Sequence, residues 1–330
     1  MITVTGSLAF DHIMDYPGRF SDHIMPDKIH QINLSFLVTT LKKQKGGTAG
    51  NIAYNLALLK NPVSILGIAG SDFSAPTESG CSYKEFLQQA GVDTSLIKTS
   101  QSITSTCYIM TDIADNQITA FYPGAMNEAE TLSLGSTKTD LVVISPNNPK
   151  AMVKFVKECQ SSGTGYMLDP GMQLPALDPE NLKMMVANAT ILIGNDYEIS
   201  LLKEKTGLDE TQLLNQVKVL ITTLGENGSI IQTNGLPDSP SRSQSPPGRW
   251  SIKAGKPNQV VDPTGAGDAY RAGFLAGYLK GLGLQICGQM GAVAACYTVE
   301  KYGTTSHAFS LEEFKRRYKE NFGEDLIYDI

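Results

Sequence analysis

Alternation of short apolar runs with helix-length segments is the feature that most constrains the fold of this chain. The runs ITVTG, SILGIAG, DLVVIS, TGYMLDP, TILIGN and VKVLITT are each followed by a polar or periodic stretch long enough for a helix. Runs such as DLVVIS are apolar throughout, which is typical of parallel strands covered on both faces. The sequence therefore predicts a doubly wound, three-layer α/β/α fold on a mostly parallel sheet, with all 330 residues in one domain.

Two segments depart from this alternation. Residues 11–45 mix short strand-like pieces with Pro and Gly, and STCYIMTDIADNQITAFYPG has the pattern of a β-hairpin with IADNQ as its turn. Hairpins inserted into a parallel α/β core often form a lid. We expect a small β lid from about 11–45 and 103–124. The Pro/Ser-rich stretch at about 237–248 predicts a surface loop, to which we assign no function.

The charge balance and the cysteine pattern exclude several classes of protein. A net charge of −6 and a pI near 5.3 are a poor match to a protein that binds nucleic acid or anionic lipid. The five cysteines show no C-x-x-C pair or zinc spacing, and the N-terminus lacks the pattern of a secretory signal. The four histidines show no metal spacing either. These features predict a cytoplasmic protein with reduced thiols.

The two common glycine-rich nucleotide motifs are missing from the sequence. It contains no G-x-x-x-x-G-K-[ST], and GSLAFD after the first strand has a single glycine where G-x-G-x-x-G would be needed. A nicotinamide-dependent oxidoreductase is therefore disfavoured.

The segment DPTGAGDAYRAGF, which begins at Asp262, offers a different way to bind phosphate. Gly265, Ala266 and Gly267 have small side chains or none, so their N–H groups at a helix start can approach an anion closely. Asp268 follows in the first turn, and its carboxylate is better tolerated there if it takes up a proton during the reaction. These residues predict an anion hole with Asp268 as catalytic base. A helix N-terminus whose acids compensate the dipole would show the same residues.

A second glycine-containing segment, KGGTAGNIAYNLALL, precedes and opens another helix. Gly46 and Gly47 would let the backbone pass close to a bound sugar, and the amide of Asn51 offers a donor and an acceptor to vicinal hydroxyls. A turn followed by a helix that packs on the sheet would have the same pattern.

Both segments resemble the two signatures of the ribokinase-like (PfkB) family of sugar and nucleoside kinases. GSLAFD, GNDYE, TTLGENGS and AACYTVEKYGTTSH match further family segments in the same order along nearly the whole chain. The resemblance implies an ATP-dependent phosphotransferase with an alcohol group as acceptor. It also implies that Asp268 is the base and that the amides of 265–267 bind the transferring group.

The resemblance implies roles for further residues. Acceptor hydroxyls would be bound by Asp11, Gly46, Gly47 and Asn51. ATP and the water shell of its Mg²⁺ would be bound by Asn195, Glu198, Thr223, Gly225, Gly228 and Ala295. A monovalent cation such as K⁺ would lie near Asp262, Thr264 and Gly303. Two departures from the family pattern are Pro263 in place of Thr or Ser, and His307 where a smaller residue often borders the cation site.

The segments GSLAFDHIMDYPGRF, HIMPD and DNQITAFYPGAM look most like bacterial adenosine-kinase-like nucleoside kinases. That likeness implies transfer to the 5′-hydroxyl of adenosine or a related purine nucleoside. A base needs an apolar or aromatic platform, for which Phe36, Phe121 and Tyr122 are candidates, although each could simply pack the lid onto the core.

Other acceptors and other classes stay open. GGTAGN is nearer the ribokinase form, so a ribokinase- or fructokinase-type sugar kinase is the alternative. A non-catalytic sensor of a sugar or nucleoside is disfavoured by the presence of Asp268, Asn195 and Glu198. The expected partners are the small-molecule acceptor and ATP, with neither nucleic acid nor membrane, and the chain could be a monomer or a homodimer.

Overall fold

The computed structural model describes residues 1–24, 33–77, 80–114, 116–135, 137–235 and 248–328. Part of the first segment predicted to form the lid, including most of HIMPD, lies outside the described residues. Nearly all of the Pro/Ser-rich stretch predicted as a surface loop lies outside them as well.

The described strands form two sheets. In chain order they are β1 (Ile2–Thr5), β2 (Ala9–Asp15), β3 (Lys42–Gly46), β4 (Val63–Gly70), β5 (Ile97–Ser100), β6 (Ser105–Thr111), β7 (Gln117–Tyr122), β8 (Leu141–Ile144), β9 (Gly165–Leu168), β10 (Ile191–Asn195), β11 (Val219–Thr223), β12 (Ser229–Thr233) and β13 (Gly248–Ile252). The large sheet has the order β13-β12-β11-β10-β9-β8-β1-β4-β5. In this order, all strands between β11 and β5 run parallel to one another, and β12 and β13 are added antiparallel at the β11 edge.

The small sheet has the order β3-β2-β6-β7 and draws its strands from the two segments that break the alternation. The predicted hairpin is β6 and β7, paired antiparallel from Thr106 with Tyr122 to Thr111 with Gln117. β2 pairs in parallel with β6 and antiparallel with β3. The prediction of a mostly parallel sheet with a smaller second sheet is confirmed.

Helices cover both faces of the large sheet. They are α1 (Thr48–Leu58), α2 (Tyr83–Ala90), α3 (Pro149–Ser162), α4 (Pro179–Val186), α5 (Asp196–Thr206), α6 (Glu210–Gln216), α7 (Ala266–Leu279), α8 (Leu284–Val299) and α9 (Leu311–Phe322). Among the described parts of the chain, no helix combines the length and the apolar character that crossing a bilayer requires.

The core is divided by the sheet into two hydrophobic layers. Val143 of β8 packs in the layer that contains α1, α2, α7, α8 and α9, whereas its neighbours Val142 and Ile144 pack with α3 to α6. Successive side chains of a strand point to opposite faces, so a strand buried on both sides must be apolar at every position. This explains the continuous apolar runs, and each fully buried side chain of this size contributes about 1.5–3 kcal/mol.

Candidate active site

Asp268 lies in the first turn of α7, which begins after Gly265 in a left-handed conformation with φ of 81°. Nδ2 of Asn51, from α1, donates a hydrogen bond to Oδ2 of Asp268 at 2.8 Å. Burial raises the pKa of Asp268 to about 6, assisted by the charges of Asp169 and Glu198 and opposed by Arg271 and the bond from Asn51. A carboxylate with a pKa near 6 is a better base than an ordinary aspartate at neutral pH.

Several backbone N–H groups at the start of α7 have no hydrogen-bond partner among the described residues. The N–H groups of Gly265, Gly267 and Asp268 make no hydrogen bond with any described residue, as is usual for a first helical turn. The N–H of Ala266 donates to the carbonyl of Pro263 at 3.2 Å, so it belongs to the turn. The anion hole expected from 265–267 therefore has available donors at 265, 267 and 268, and its role stays a prediction.

Asp11 lies on β2 with only 7% of its surface exposed, and none of the hydrogen bonds within the described chain involves its carboxylate. Burial raises its pKa to about 7, and the charges of Asp268 and Asp262 add to the shift. A buried acid without a partner in the protein is costly to ionise and is a natural place for a ligand that donates hydrogen bonds.

The glycine pair has a structural reason in this fold. A Cβ at Gly46 would lie 2.0 Å from Oδ2 of Asp11, so the missing side chain makes room for that carboxylate. Gly47 has φ of 90°, and a Cβ there would lie 2.6 Å from the carbonyl oxygen of Ser7. Both glycines are thus required by the junction between β3 and α1, and their expected contact with a sugar stays a prediction.

The side chain of Asn51 is bonded at both ends within the protein. Nδ2 donates to Asp268, and Oδ1 accepts from Oγ1 of Thr304 at 2.7 Å. Asn51 is only 4% exposed. Its expected role as a ligand of acceptor hydroxyls stays a prediction, because the contacts in the structure are to the candidate base and to Thr304.

A buried ion pair lies beside Asp268. Nε of Arg271 lies 2.6 Å from Oδ2 of Asp169, which follows β9, and the two side chains are 8% and 2% exposed. A Cβ at Gly267 would lie 2.9 Å from Nη1 of Arg271, so the guanidinium also reaches the start of α7. The sequence interpretation missed this pair. The sequence does contain a signal for Arg271. It is the one charged residue between Asp268 and Lys280, and it lies three residues after Asp268, so the two side chains share one helix face.

Asn195 and Glu198 form a capping box at the start of α5. Oδ1 of Asn195 accepts from the N–H of Glu198, and Oε2 of Glu198 accepts from the N–H of Asn195, both at 2.8 Å. The pair lies where β10 ends, at the carboxyl edge of the sheet, where open α/β sheets bind ligands. Burial raises the pKa of Glu198, and the charge of Asp169 adds to it.

The three residues expected at a monovalent-cation site are brought together by the carboxylate of Asp262. Its Oδ1 accepts from the N–H of Thr264 and its Oδ2 from the N–H of Gly303, both at 2.9 Å. His307 points elsewhere: its Nε2 lies 2.8 Å from Oδ1 of Asn55, and burial lowers its pKa to about 4. His307 is thus a neutral packing residue whose ring is directed at α1.

A cleft of about 650 Å³ adjoins the start of α7. Its lining includes the predicted nucleotide residues Thr223, Gly225, Gly228 and Ala295, together with Ala266, Gly267, Ala292 and Cys296. Gly228 has φ of 91°, and a Cβ there would lie 2.0 Å from the carbonyl oxygen of Ile252. Small residues on α7 and α8 therefore leave open a cleft that is lined by Gly267, one of the residues whose N–H has no partner among the described residues.

The aromatic candidates in the small sheet divide by face. Phe121 is in register with Cys107, which is in register with Asp11, so these three side chains share one face. Tyr122 is on the opposite face and is 52% exposed. Phe36 packs edge-on against Tyr16, Phe20 and His23. Of the three, Phe121 is placed to meet a ligand near Asp11.

The fold and the site together define a phosphotransferase whose acceptor is an alcohol group. A family model described as "pfkB family carbohydrate kinase" matches residues 4–310. The chain belongs to this family. It is 30% identical over 328 residues to the nucleoside kinase of Methanothermobacter thermautotrophicus, with 98% of this chain and 96% of the relative covered.

Two solved structures of Burkholderia thailandensis nucleoside kinase are also similar. The complex with inosine has a TM-score of 0.87 and 32% identity, covering 98% of this chain and 99% of that one. The complex with ADP-inosine has a TM-score of 0.85 and 33% identity, covering 100% of this chain and 98% of that one.

Proposed function

We propose that the protein is an ATP-dependent nucleoside kinase that phosphorylates the 5′-hydroxyl of a purine nucleoside, with adenosine as the first candidate. The observation that carries the proposal is the start of α7, where Asp268 shares the first helical turn with Gly267, which lines the cleft and whose N–H makes no hydrogen bond with any described residue. A base next to anion-binding amides is suited to a reaction that deprotonates an alcohol while negative charge moves onto a phosphoryl group. The similarity to nucleoside kinases over nearly the whole chain supports the nucleoside as acceptor.

The proposed reaction transfers one phosphoryl group from ATP and removes one proton from the acceptor. A bond forms between the acceptor oxygen and the γ-phosphorus of ATP, and the bond from that phosphorus to the β,γ-bridging oxygen breaks. The hydroxyl proton passes to Asp268 and is later released to water. The amides of Gly265 and Gly267 stabilise charge on the transferring group, and the products are a nucleoside 5′-phosphate and ADP.

The cleft between α7, α8 and the loop after β11 is the proposed site of ATP. Its apolar slot beside Ala295 suits the flat adenine ring, and its inner end at Gly267 brings the γ-phosphate to the free amides. The relative from Burkholderia thailandensis was solved with ADP-inosine, which agrees with adjacent nucleotide and acceptor sites.

The residues present also fit Mg²⁺ and a monovalent cation. Among the described residues no group of three or more His, Cys, Asp or Glu is arranged to hold a metal. Mg²⁺ would therefore be held mainly by phosphate oxygens and water, where it neutralises developing charge, with Glu198 and Asn195 ordering that water. A K⁺ ion would be held near Asp262, Thr264 and Gly303.

The acceptor would lie beneath the small sheet beside Asp11. The raised pKa of this acid and its lack of a hydrogen-bond partner among the described residues favour a ligand that donates hydroxyl protons, such as the vicinal hydroxyls of a ribose. Phe121, on the same face, is the proposed platform for the base. The small sheet would then act as a lid that excludes water from the phosphoryl group.

The test is a panel of acceptors incubated with ATP and Mg²⁺, with the phosphorylated product measured directly. We expect purine nucleosides to give nucleoside 5′-monophosphate and ADP in equal amounts, with little ATP hydrolysis when no acceptor is present. Ribose or fructose as the one efficient acceptor would replace the nucleoside in this proposal. Binding of a nucleoside without any transfer would identify a sensor instead.

A further inference from the structure

Thr304 lies in the loop that follows α8, and its side chain contacts Asn51, the residue that donates a hydrogen bond to the candidate base Asp268. It is only 2% exposed, and its Oγ1 is 2.7 Å from Oδ1 of Asn51 and 3.0 Å from the carbonyl oxygen of Lys45. A Cβ at Gly265 would lie 2.9 Å from the Cβ of Thr304. Thr304 thus touches both the amide that binds Asp268 and the residue where α7 begins.

An asparagine amide has nearly the same shape in its two orientations, so its hydrogen-bond partners decide which end faces where. The hydroxyl of Thr304 donates to Oδ1 of Asn51, which turns Nδ2 towards the carboxylate of Asp268. In the opposite orientation, the carbonyl oxygen of Asn51 would face that carboxylate and repel it.

We propose that Thr304 is a positioning residue for Asp268 and acts through Asn51, fixing the amide orientation that holds the carboxylate in place. This inference rests on the proposed function, in which Asp268 is the base. Thr304 touches neither substrate nor cofactor in this scheme, so its effect is on how the base is presented.

The loop that carries Thr304 is fixed to α1 at further points, which makes such positioning effective. Oη of Tyr54 donates to the carbonyl oxygen of His307 at 2.6 Å, and Nε2 of His307 lies 2.8 Å from Oδ1 of Asn55. Nδ2 of Asn55 in turn donates to the carbonyl oxygen of Asn51 at 2.9 Å. Loop and helix therefore hold the hydroxyl at a constant distance from Asn51.

The experiment compares Thr304→Val, which keeps the shape and removes the hydroxyl, with Thr304→Ser, which keeps the hydroxyl and removes the methyl group. We expect Thr304→Val to lower kcat by about tenfold, the usual effect of losing one hydrogen bond to a buried polar group. KM for ATP should change less than about twofold, because uniform binding is not affected. Thr304→Ser should retain most of the turnover.

The pH profile of kcat at saturating nucleoside gives a readout that a purely structural role would not move. The bond from Asn51 favours the ionised form of Asp268, so losing it should shift the acidic limb of Thr304→Val to higher pH. The other charged groups that face Asp268 are Asp11, Asp169, Glu198 and Arg271, and the substitution leaves all four in place. Thr304→Ser should keep the profile of the unaltered protein.

A double substitution tests the route through the amide. If Thr304 acts through Asn51, adding Thr304→Val to Asn51→Leu should lower kcat by no more than Asn51→Leu alone. Additive losses would overturn the proposal, as would an unchanged acidic limb in Thr304→Val or an equal loss in Thr304→Ser. Thermal unfolding of each variant checks that it folds, and Thr304→Ala, which also removes the hydroxyl, replaces Thr304→Val in the kinetics, the pH profile and the cycle if Thr304→Val does not fold.

Failure of this inference is distinguishable from failure of the proposed function. Nucleoside phosphorylation by the unaltered protein, with its loss in Asp268→Asn, establishes the function independently of Thr304. A normal Thr304→Val enzyme in that setting would reject only the positioning role.

Discussion

The acceptor side and the nucleotide side of the site differ in the kinds of residue that line them. Around the proposed acceptor, ionisable side chains act on one another: burial and the charge of Asp268 raise the pKa of Asp11 to about 7, and Arg271 opposes the rise in the pKa of Asp268. Around the proposed nucleotide, the wall is mostly backbone and small residues such as Gly228 and Ala295. In the proposed function, charge would serve recognition and proton transfer on the acceptor side, whereas on the nucleotide side the small residues leave space for the ligand. Substitutions should therefore affect chemistry on the acceptor side and nucleotide affinity on the nucleotide side.

The largest effect is expected from Asp268→Asn on the acceptor side. Removing the proposed base should lower kcat by about two orders of magnitude or more, because the hydroxyl proton would lose its proposed acceptor. Binding of ATP and nucleoside, measured by calorimetry, should stay near normal. Ordinary turnover in this variant would remove Asp268 from the role of base.

Asp11→Asn should weaken the binding of the nucleoside but not that of ATP. Loss of charged hydrogen bonds to acceptor hydroxyls should raise the nucleoside KM by about thirtyfold, with KM for ATP little changed. Asp22→Asn, on an exposed residue, is the control that should alter neither constant.

Asp11→Asn should also be more stable than the unaltered protein at high pH. The folded protein raises the pKa of Asp11 from 3.8 to about 7, so ionising this acid above pH 7 costs folding free energy. Asp11→Asn should raise the free energy of unfolding by about 4 kcal/mol at pH 8, which is what a rise in pKa from 3.8 to about 7 is worth. The gain should shrink as the pH falls through 7 and vanish below about 4, where the acid is protonated in both states. An equal gain at pH 4 and pH 8 would show that ionisation is not its cause.

On the nucleotide side, Ala295→Leu should fill the slot and raise KM for ATP by about tenfold, the cost of forcing a larger side chain into the space of a ligand. The nucleoside KM should stay the same. Ala295→Gly keeps the space open, so its KM for ATP should stay within about twofold, with a small loss of helix stability. A matching rise in the nucleoside KM for Ala295→Leu would show that the two sides are not separate.

The smallest effect is the pH dependence of the unaltered enzyme. Because burial raises the pKa of Asp268 to about 6, kcat at saturating nucleoside should be constant at neutral pH and fall to half near pH 6, since saturation removes the contribution of Asp11 to binding. The base is ionised above that pKa and protonated below it, so activity is lost on the acidic side. A limb near the ordinary aspartate value of 3.8 would mean that the carboxylate is better solvated in solution.

Much of the fold could be predicted from local pattern. DLVVIS, TILIGN and VKVLITT became β8, β10 and β11, because a strand covered on both faces has to be apolar at each residue. The hairpin and its turn followed from alternation and turn residues. The resemblance could predict that Gly228 lies beside a nucleotide. That a Cβ at this position would collide with the carbonyl oxygen of Ile252 depends on the pairing of β13, which a local pattern does not show.

The sequence by itself determined the layered α/β architecture, the small second sheet and the helix start that carries Asp268. The two sheets depend on the local pattern of apolar residues, and the helix start depends on the small residues that precede Asp268. Only the tertiary structure decided the partners of that acid. Asn51, Arg271 and Thr304 reach it or its surroundings from α1, α7 and the loop after α8, and Asp169 completes the ion pair from the end of β9. Buried polar groups take whichever partner the packing of distant segments provides, and a linear pattern does not contain that information.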